Sequence, residues 1–159
     1  MNIIQNNSSI IQEDQMRIKL DNFFLKNDFS NAINKILSSI TDKERKIIEL
    51  RLHVPETEND DNFVFIIPYS KISKYSGYSA SSNRRILLKA FKKIQHFNRS
   101  KGVLTFLKNM ENYVKENDIC YKFLYRYLRK NYTYETYLAG IIKNQSLQVY
   151  FSLKNHRLI

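Results

Sequence analysis

A chain of 159 residues with 43% hydrophobic and 13% aromatic side chains can bury about two-thirds of its unfolded surface, which excludes a wholly disordered protein and fits one domain with appendages. Its one cysteine, Cys120, excludes an intrachain disulfide, and its longest apolar run, Phe63 to Ile67, is far too short to span a bilayer, so a cytoplasmic protein with no membrane partner is expected. The net charge of +11 is unevenly spread: residues 1–61 carry 8 Lys/Arg against 11 Asp/Glu, residues 62–110 carry 10 against none, and residues 111–159 carry 8 against 4.

A window with no carboxylate cannot neutralise its own cations, and its natural partner is a polyanion. The plainer alternative is an Asn/Lys/Ile/Tyr-rich chain that is merely basic, but a general bias would not clear acids from one window alone. With 3 glycines and 2 prolines and few alternating segments, an all-α fold is expected. Residues 1–12 are polar and uncharged and read as a disordered tail. A first helix is predicted from about Gln12 to Lys26 with Met16, Ile18, Leu20, Phe23 and Phe24 as its apolar stripe, and a second from about Ser30 to Ser39. Both read as packing elements.

The next helix begins at a capping box, Thr41 with Glu44, in ITDKERKIIELRL, and Asp42 suits the positive end of its dipole. Ile47, Ile48 and Leu50 then face inward. Glu56, Glu58, Asp60 and Asp61 come next, in a loop; four carboxylates can hold calcium, but the spacing lacks the glycine and distal glutamate of an EF-hand, so a solvated loop is expected, ending in a short extended piece over Phe63 to Ile67. Pro68 suits a helix start, and a helix of about eight residues is predicted through Tyr75. Gly77 supplies the positive φ of a tight corner, and Ser79 is a favoured N-cap for a further helix.

That helix, with Arg84 placed at zero on a wheel of 100° per residue, puts Arg84, Arg85, Lys89, Lys92 and Lys93 between about 0° and 180°, and Ile86, Leu87, Ala90, Phe91, Ile94 and Phe97 between about 200° and 340°. Leu88 and Asn83 break the pattern. A short helix bracing a second helix with an exposed basic face is the geometry that enters a DNA major groove. Arg84, Arg85 and Lys89 are the candidates for base or phosphate contacts, with Ser79, Ser81 and Ser82 at the helix entrance, and Lys71, Lys74, Lys92 and Lys93 are candidates for anchoring the phosphate backbone.

Two blocks, LSSITDKERKIIELRL and YSKISKYSGYSASSNRRILLKAFKKIQ, resemble the fourth conserved region of bacterial sigma factors over about Leu37 to Gln95. The matching residues are Leu37, Thr41, Glu44, Arg45, Ile48, Leu50 and Arg51, then Ile72, Gly77, Ser79, Arg84, Ile86, Lys89, Ala90, Lys93 and Ile94. The resemblance implies a helix-turn-helix over about residues 68–97 that reads promoter DNA, with double-stranded DNA and RNA polymerase as partners. The sequence departs from the pattern at Ser76 and Asn83, where the family carries apolar residues, and in a longer loop between the blocks. Only about 36 residues precede the match, without the aromatic-rich core-binding pattern, so a complete conventional sigma factor is not expected.

Helices are predicted over about Val103 to Lys115, Ile119 to Asn131 and Thr133 to Leu153, the last broken near Gly140 or Asn144, with Gly102 as a C-cap that separates a helical domain of residues 13–101 from a C-terminal extension of residues 102–159. In that extension Tyr121, Phe123, Tyr125, Tyr127, Tyr132, Tyr134 and Tyr137 interleave with Lys122, Arg126, Arg129 and Lys130, an arrangement that packs a core or a homodimer interface, or stacks unpaired bases. His53, His96 and His156 are scattered, and no nucleophile motif or glycine-rich phosphate loop occurs, so no enzyme, cofactor or metal is expected. Three functions fit: a sigma-like transcription regulator that reads duplex DNA, a phage or plasmid protein that imitates the sigma domain to bind polymerase, or a replication initiator.

Overall fold

Capping chemistry decides several of the helix boundaries. The computed structural model describes residues 3–53 and 65–158, which hold nine α-helices, α1 (Ile3–Lys26), α2 (Phe29–Ser38), α3 (Asp42–Arg51), α4 (Tyr69–Ser76), α5 (Ala80–Gln95), α6 (Phe97–Glu116), α7 (Tyr121–Asn131), α8 (Thr133–Lys143) and α9 (Leu147–Leu158), and one pair of two-residue strands, β1 (Leu52–His53) and β2 (Phe65–Ile66). At α2 the Asp28 carboxylate accepts from the Asn31 N–H at 2.9 Å. At α3 the capping box is complete, with Thr41 Oγ1 accepting from the Glu44 N–H at 3.1 Å and Glu44 Oε1 accepting from the Thr41 N–H at 3.1 Å. Ser79 caps α5 by accepting from the Ser82 N–H at 3.2 Å.

Two boundaries differ from the expectation. α1 starts at Ile3, ahead of the predicted Gln12. Gly102 is not a C-cap: it lies exposed inside α6, and the break falls at His96, whose extended backbone (φ −65°, ψ 133°) ends α5 while its Nδ1 accepts from the Asn98 N–H at 3.3 Å. Residues 101 and 102 thus share one helix, and a continuous set of buried side chains runs from Leu20 to Phe151. The break expected near Gly140 or Asn144 falls at Asn144, which takes the left-handed conformation (φ 63°) and ends α8, a conformation asparagine tolerates better than most residues.

The core is apolar and aromatic. Phe29, Ile33, Ile47, Ile48, Ile72, Ile94, Met110, Leu124, Leu128 and Leu138 are fully buried. Phe24, Phe29, Phe106, Tyr127 and Tyr132 form one cluster, with Phe29 stacked on Phe106 at 4.8 Å between ring centres and Phe24 against Tyr132 at 4.7 Å; such pairs add about 0.5–1.5 kcal/mol each to area burial. The C-terminal tyrosines therefore pack inward: Tyr121 is buried and Tyr125, Tyr127, Tyr132, Tyr134 and Tyr137 are half-buried. Tyr127 donates its hydroxyl to Asp21 on α1, and burial, reinforced by that carboxylate, pushes the phenol well above its ordinary range. Ile18, predicted to join the α1 stripe, is instead exposed.

Around the acidic segment the chain is closed at its base. β1 and β2 pair antiparallel, Leu52 opposite Ile66 and His53 opposite Phe65, and Arg51 ties α3 to the start of α4, donating to the Ile67 carbonyl and lying 4.1 Å over the Tyr69 ring. Glu56, Glu58, Asp60, Asp61 and the predicted extended residues Phe63 and Val64 lie outside the described residues. Among those described, no helix is long and apolar enough to cross a membrane.

Candidate nucleic-acid interface

The acid-free window lands on α4, α5 and most of α6, up to Met110. Between α4 and α5 the chain turns at Gly77, whose φ of +79° lies in the region that costs an L-residue about 1–2 kcal/mol. α3 packs against both helices and braces the corner, with Lys43 Nζ 4.3 Å above the ring of Tyr78.

What holds the two helices at a fixed angle is a buried polar clasp. Asn83 on α5 is fully buried and its amide meets three groups: Ser76 Oγ donates to Asn83 Oδ1 at 3.0 Å, and Asn83 Nδ2 donates to Ser73 Oγ at 3.3 Å and to the Tyr78 carbonyl at 3.4 Å. Ser76 and Asn83, the two positions that depart from the sigma pattern, are thus partners of each other. A buried amide is tolerated only when its donors and acceptors are matched, so one polar residue in this interface demands the other. Ile72, Leu87, Ala90 and Ile94 complete the apolar side of the packing.

Opposite this packed face, Arg84, Arg85, Lys89 and Lys92 are exposed on α5, as are Lys71 and Lys74 on α4. Among the described residues none of these six lies within ion-pair distance of a carboxylate. The first turn of α5 contains no acid, so the positive end of its dipole is uncompensated and adds to the field of the cations. Ser81 is exposed at this end and Ser82 half-exposed, while the Ser79 hydroxyl is engaged as the cap and lies 3.2 Å from Ser81 Oγ and 3.0 Å from Ser82 Oγ. Ser79 is thereby committed to the helix start.

Lys93 belongs elsewhere. Its ammonium meets Glu44 Oε1 of α3 at 2.8 Å, with the Glu44 side chain 6% and the Lys93 side chain 27% exposed. On the wheel Lys93 sits at about 180°, the edge of the cationic arc, and there it turns toward α3 instead of joining the exposed cations. Burial pushes the Glu44 carboxyl up, but the Lys93 ammonium and the Thr41 N–H and hydroxyl outweigh it and hold the group below its ordinary value. Lys93 is thus a structural cation that joins α5 to the capping box of α3.

Charge patterning alone gives no role to three exposed residues. Leu88, 46% exposed, stands among Arg84, Arg85 and Lys92 on the outer face of α5; Tyr75 and Tyr78 are exposed at the corner. Leu88 is legible as the one apolar residue inside the basic arc of the wheel. Phe97, placed by the wheel on the apolar side, is 67% exposed, because α5 ends before it and the break at His96 changes the phase. No group of three or more potential metal ligands gathers among the described residues. Compared with family models, with curated proteins and with solved structures, the chain matches none.

Proposed function

We propose that α5 is the reading helix of a helix-turn-helix and that the protein is a transcription regulator preferring particular duplex DNA sequences, sigma-like in the domain spanning about Leu37 to Gln95. One observation carries this reading: Arg84, Arg85, Lys89 and Lys92 share the outer face of one helix with no carboxylate in reach among the described residues, on a helix fixed against α4 and α3 from behind. Phosphates recruit such cations by releasing counterions, and arginine reads guanine through paired donors. Arg84 and Arg85 are placed nearer the α5 N-terminus to reach bases, with Ser81 and Ser82 beside them, while Lys71, Lys74, Lys89 and Lys92 hold the backbone on either side.

Selection of binding sites from a random duplex pool tests this. The wild-type protein enriches one motif; changing Arg84 and Arg85 to alanine loses it, each base-reading arginine being worth about 1–3 kcal/mol of discrimination. Identical enrichment with and without the arginines would overturn the assignment.

A second reading is favoured by Leu88. An apolar side chain ringed by cations is the anatomy of a protein-binding surface, with an apolar centre and a polar rim, and would suit a polymerase-directed sigma mimic. In that case RNA polymerase is captured from nuclease-treated extract, Leu88→Ser abolishes capture, and the random pool shows no enrichment. On the first reading Leu88 instead packs on a thymine methyl, and Leu88→Ser alters the preferred motif.

A further inference from the structure

Beside the C-terminal half of α5, residues of α5, α7, α8 and the start of α9 line an open cavity of about 430 Å³, within the size range of small-molecule sites. Its walls are mixed in a particular way. Phe91, Tyr137 and Ile141 supply apolar and aromatic surface, Gln95 and Thr136 supply polar groups, and Arg129 supplies the charge; none of the lining residues is Asp or Glu.

The charge in this lining has no partner of its own. Thr136 is 7% exposed and its Oγ1 is sealed away from the cavity without a hydrogen-bond partner, so this residue shapes the wall. Arg129 is exposed and meets no carboxylate among the described residues. The backbone entering α9, from Gln145 to Leu147, also borders the cavity, adding the positive end of a 12-residue helix. Gln95 Nε2, by contrast, is already engaged, donating to the Ile141 carbonyl at 2.9 Å, and so shapes the wall.

We propose that this cavity binds a small aromatic anion, a carboxylate on a flat ring system. The anion meets the Arg129 guanidinium and the N-terminal end of α9, and the ring lies between Phe91 and Tyr137. Because Phe91 and Gln95 belong to α5, a molecule seated here touches the C-terminal half of that helix, along the same stripe as Arg84 and Leu88. Ligand uptake itself does not depend on what α5 binds, and its test reads uptake alone.

Isothermal titration of the purified full chain with naphthoate, and with naphthylmethylammonium as the oppositely charged match, provides that test. Naphthoate is expected to bind saturably at one site, with affinity about tenfold or more above the cation. Arg129→Glu, a substitution on an exposed position, removes that preference. Thr136→Val, nearly the same shape, keeps or raises the melting temperature because an unpartnered hydroxyl is lost, and leaves naphthoate binding unchanged. Absence of saturable naphthoate binding, equal binding of the two probes, or naphthoate binding unchanged by Arg129→Glu would each overturn the proposal.

Discussion

At the scale of single residues, two buried polar contacts shape the region that presents α5, and each makes a prediction. Asn83, Ser73 and Ser76 form a clasp in which every member lost leaves another unsatisfied. Asn83→Ala should lower stability by about 1–3 kcal/mol. Asn83→Val combined with Ser76→Ala, which restores an apolar pair, should cost less than the two single changes added together, with a coupling of about 0.5–3 kcal/mol in a double-mutant cycle read by chemical denaturation. Glu44 makes the second prediction. Its folded pKa is depressed, so its contribution is complete above the unfolded value of 4.5 and is lost as pH falls through the folded value. Glu111, beside Lys154 at 2.6 Å and Tyr150 at 2.6 Å, has the same sign. Glu135 runs oppositely, because burial raises it; its contribution is present at acid pH and lost as pH rises through its folded value. Denaturation curves should therefore show Glu44→Gln less stable than wild type at neutral pH by about 1–3 kcal/mol, with the difference shrinking below pH 4.5. Lys93 shows what a sequence conceals at this scale. Its place on the wheel marks it as cationic surface, but its partner lies 49 residues away in the chain, and no local pattern announces a pair so distant.

Among the elements, boundaries are legible where a familiar capping residue or one tolerant of positive φ makes them. Thr41, Ser79, Gly77 and Asn144 each announce a start or a stop by hydrogen-bonding capacity or by tolerance of positive φ. The α5–α6 break is not legible, because a histidine ring nitrogen is a rare cap and Gly102 nearby offers a more familiar signal. The two glycines separate cleanly. Gly77→Ala forces a Cβ into the left-handed region and should lower the melting temperature, at a cost of about 1–2 kcal/mol. Gly102→Ala, exposed in a helix interior with open space at its Cβ, should raise stability by about 0.5–1 kcal/mol. Equal effects of the two substitutions in thermal melts would contradict these assignments. The start of α1 at Ile3 is likewise hidden, since IIQNNSSIIQ carries neither a strong stripe nor an acidic first turn.

For the molecule as a whole, composition announces a helical protein and the charge distribution points to the basic face of α4 and α5, but not to the way the C-terminal helices relate to it. The alternation of aromatic and basic residues in α7 and α8 suggests a stacking surface; in the fold the rings turn into the core shared with α1, α2 and α6, and the cations turn outward. The tyrosine hydroxyls fasten that core: Tyr113 donates to the Lys19 carbonyl at 2.7 Å and Tyr127 to Asp21. α5 packs against both α6 and α8, so the C-terminal helices form part of the support beneath the basic face. We propose that this face holds a polyanion, and the most direct measurement is the salt dependence of duplex DNA binding for the wild-type protein, Lys89→Ala, Lys92→Ala and, on α6 outside the proposed face, Lys115→Ala. The slope of log affinity against log salt should fall in magnitude by about 0.9 for each of the two α5 variants and stay unchanged for Lys115→Ala. Slopes that do not respond to Lys89 and Lys92, or binding that does not respond to salt, would contradict the assignment of α5 as the nucleic-acid-binding surface.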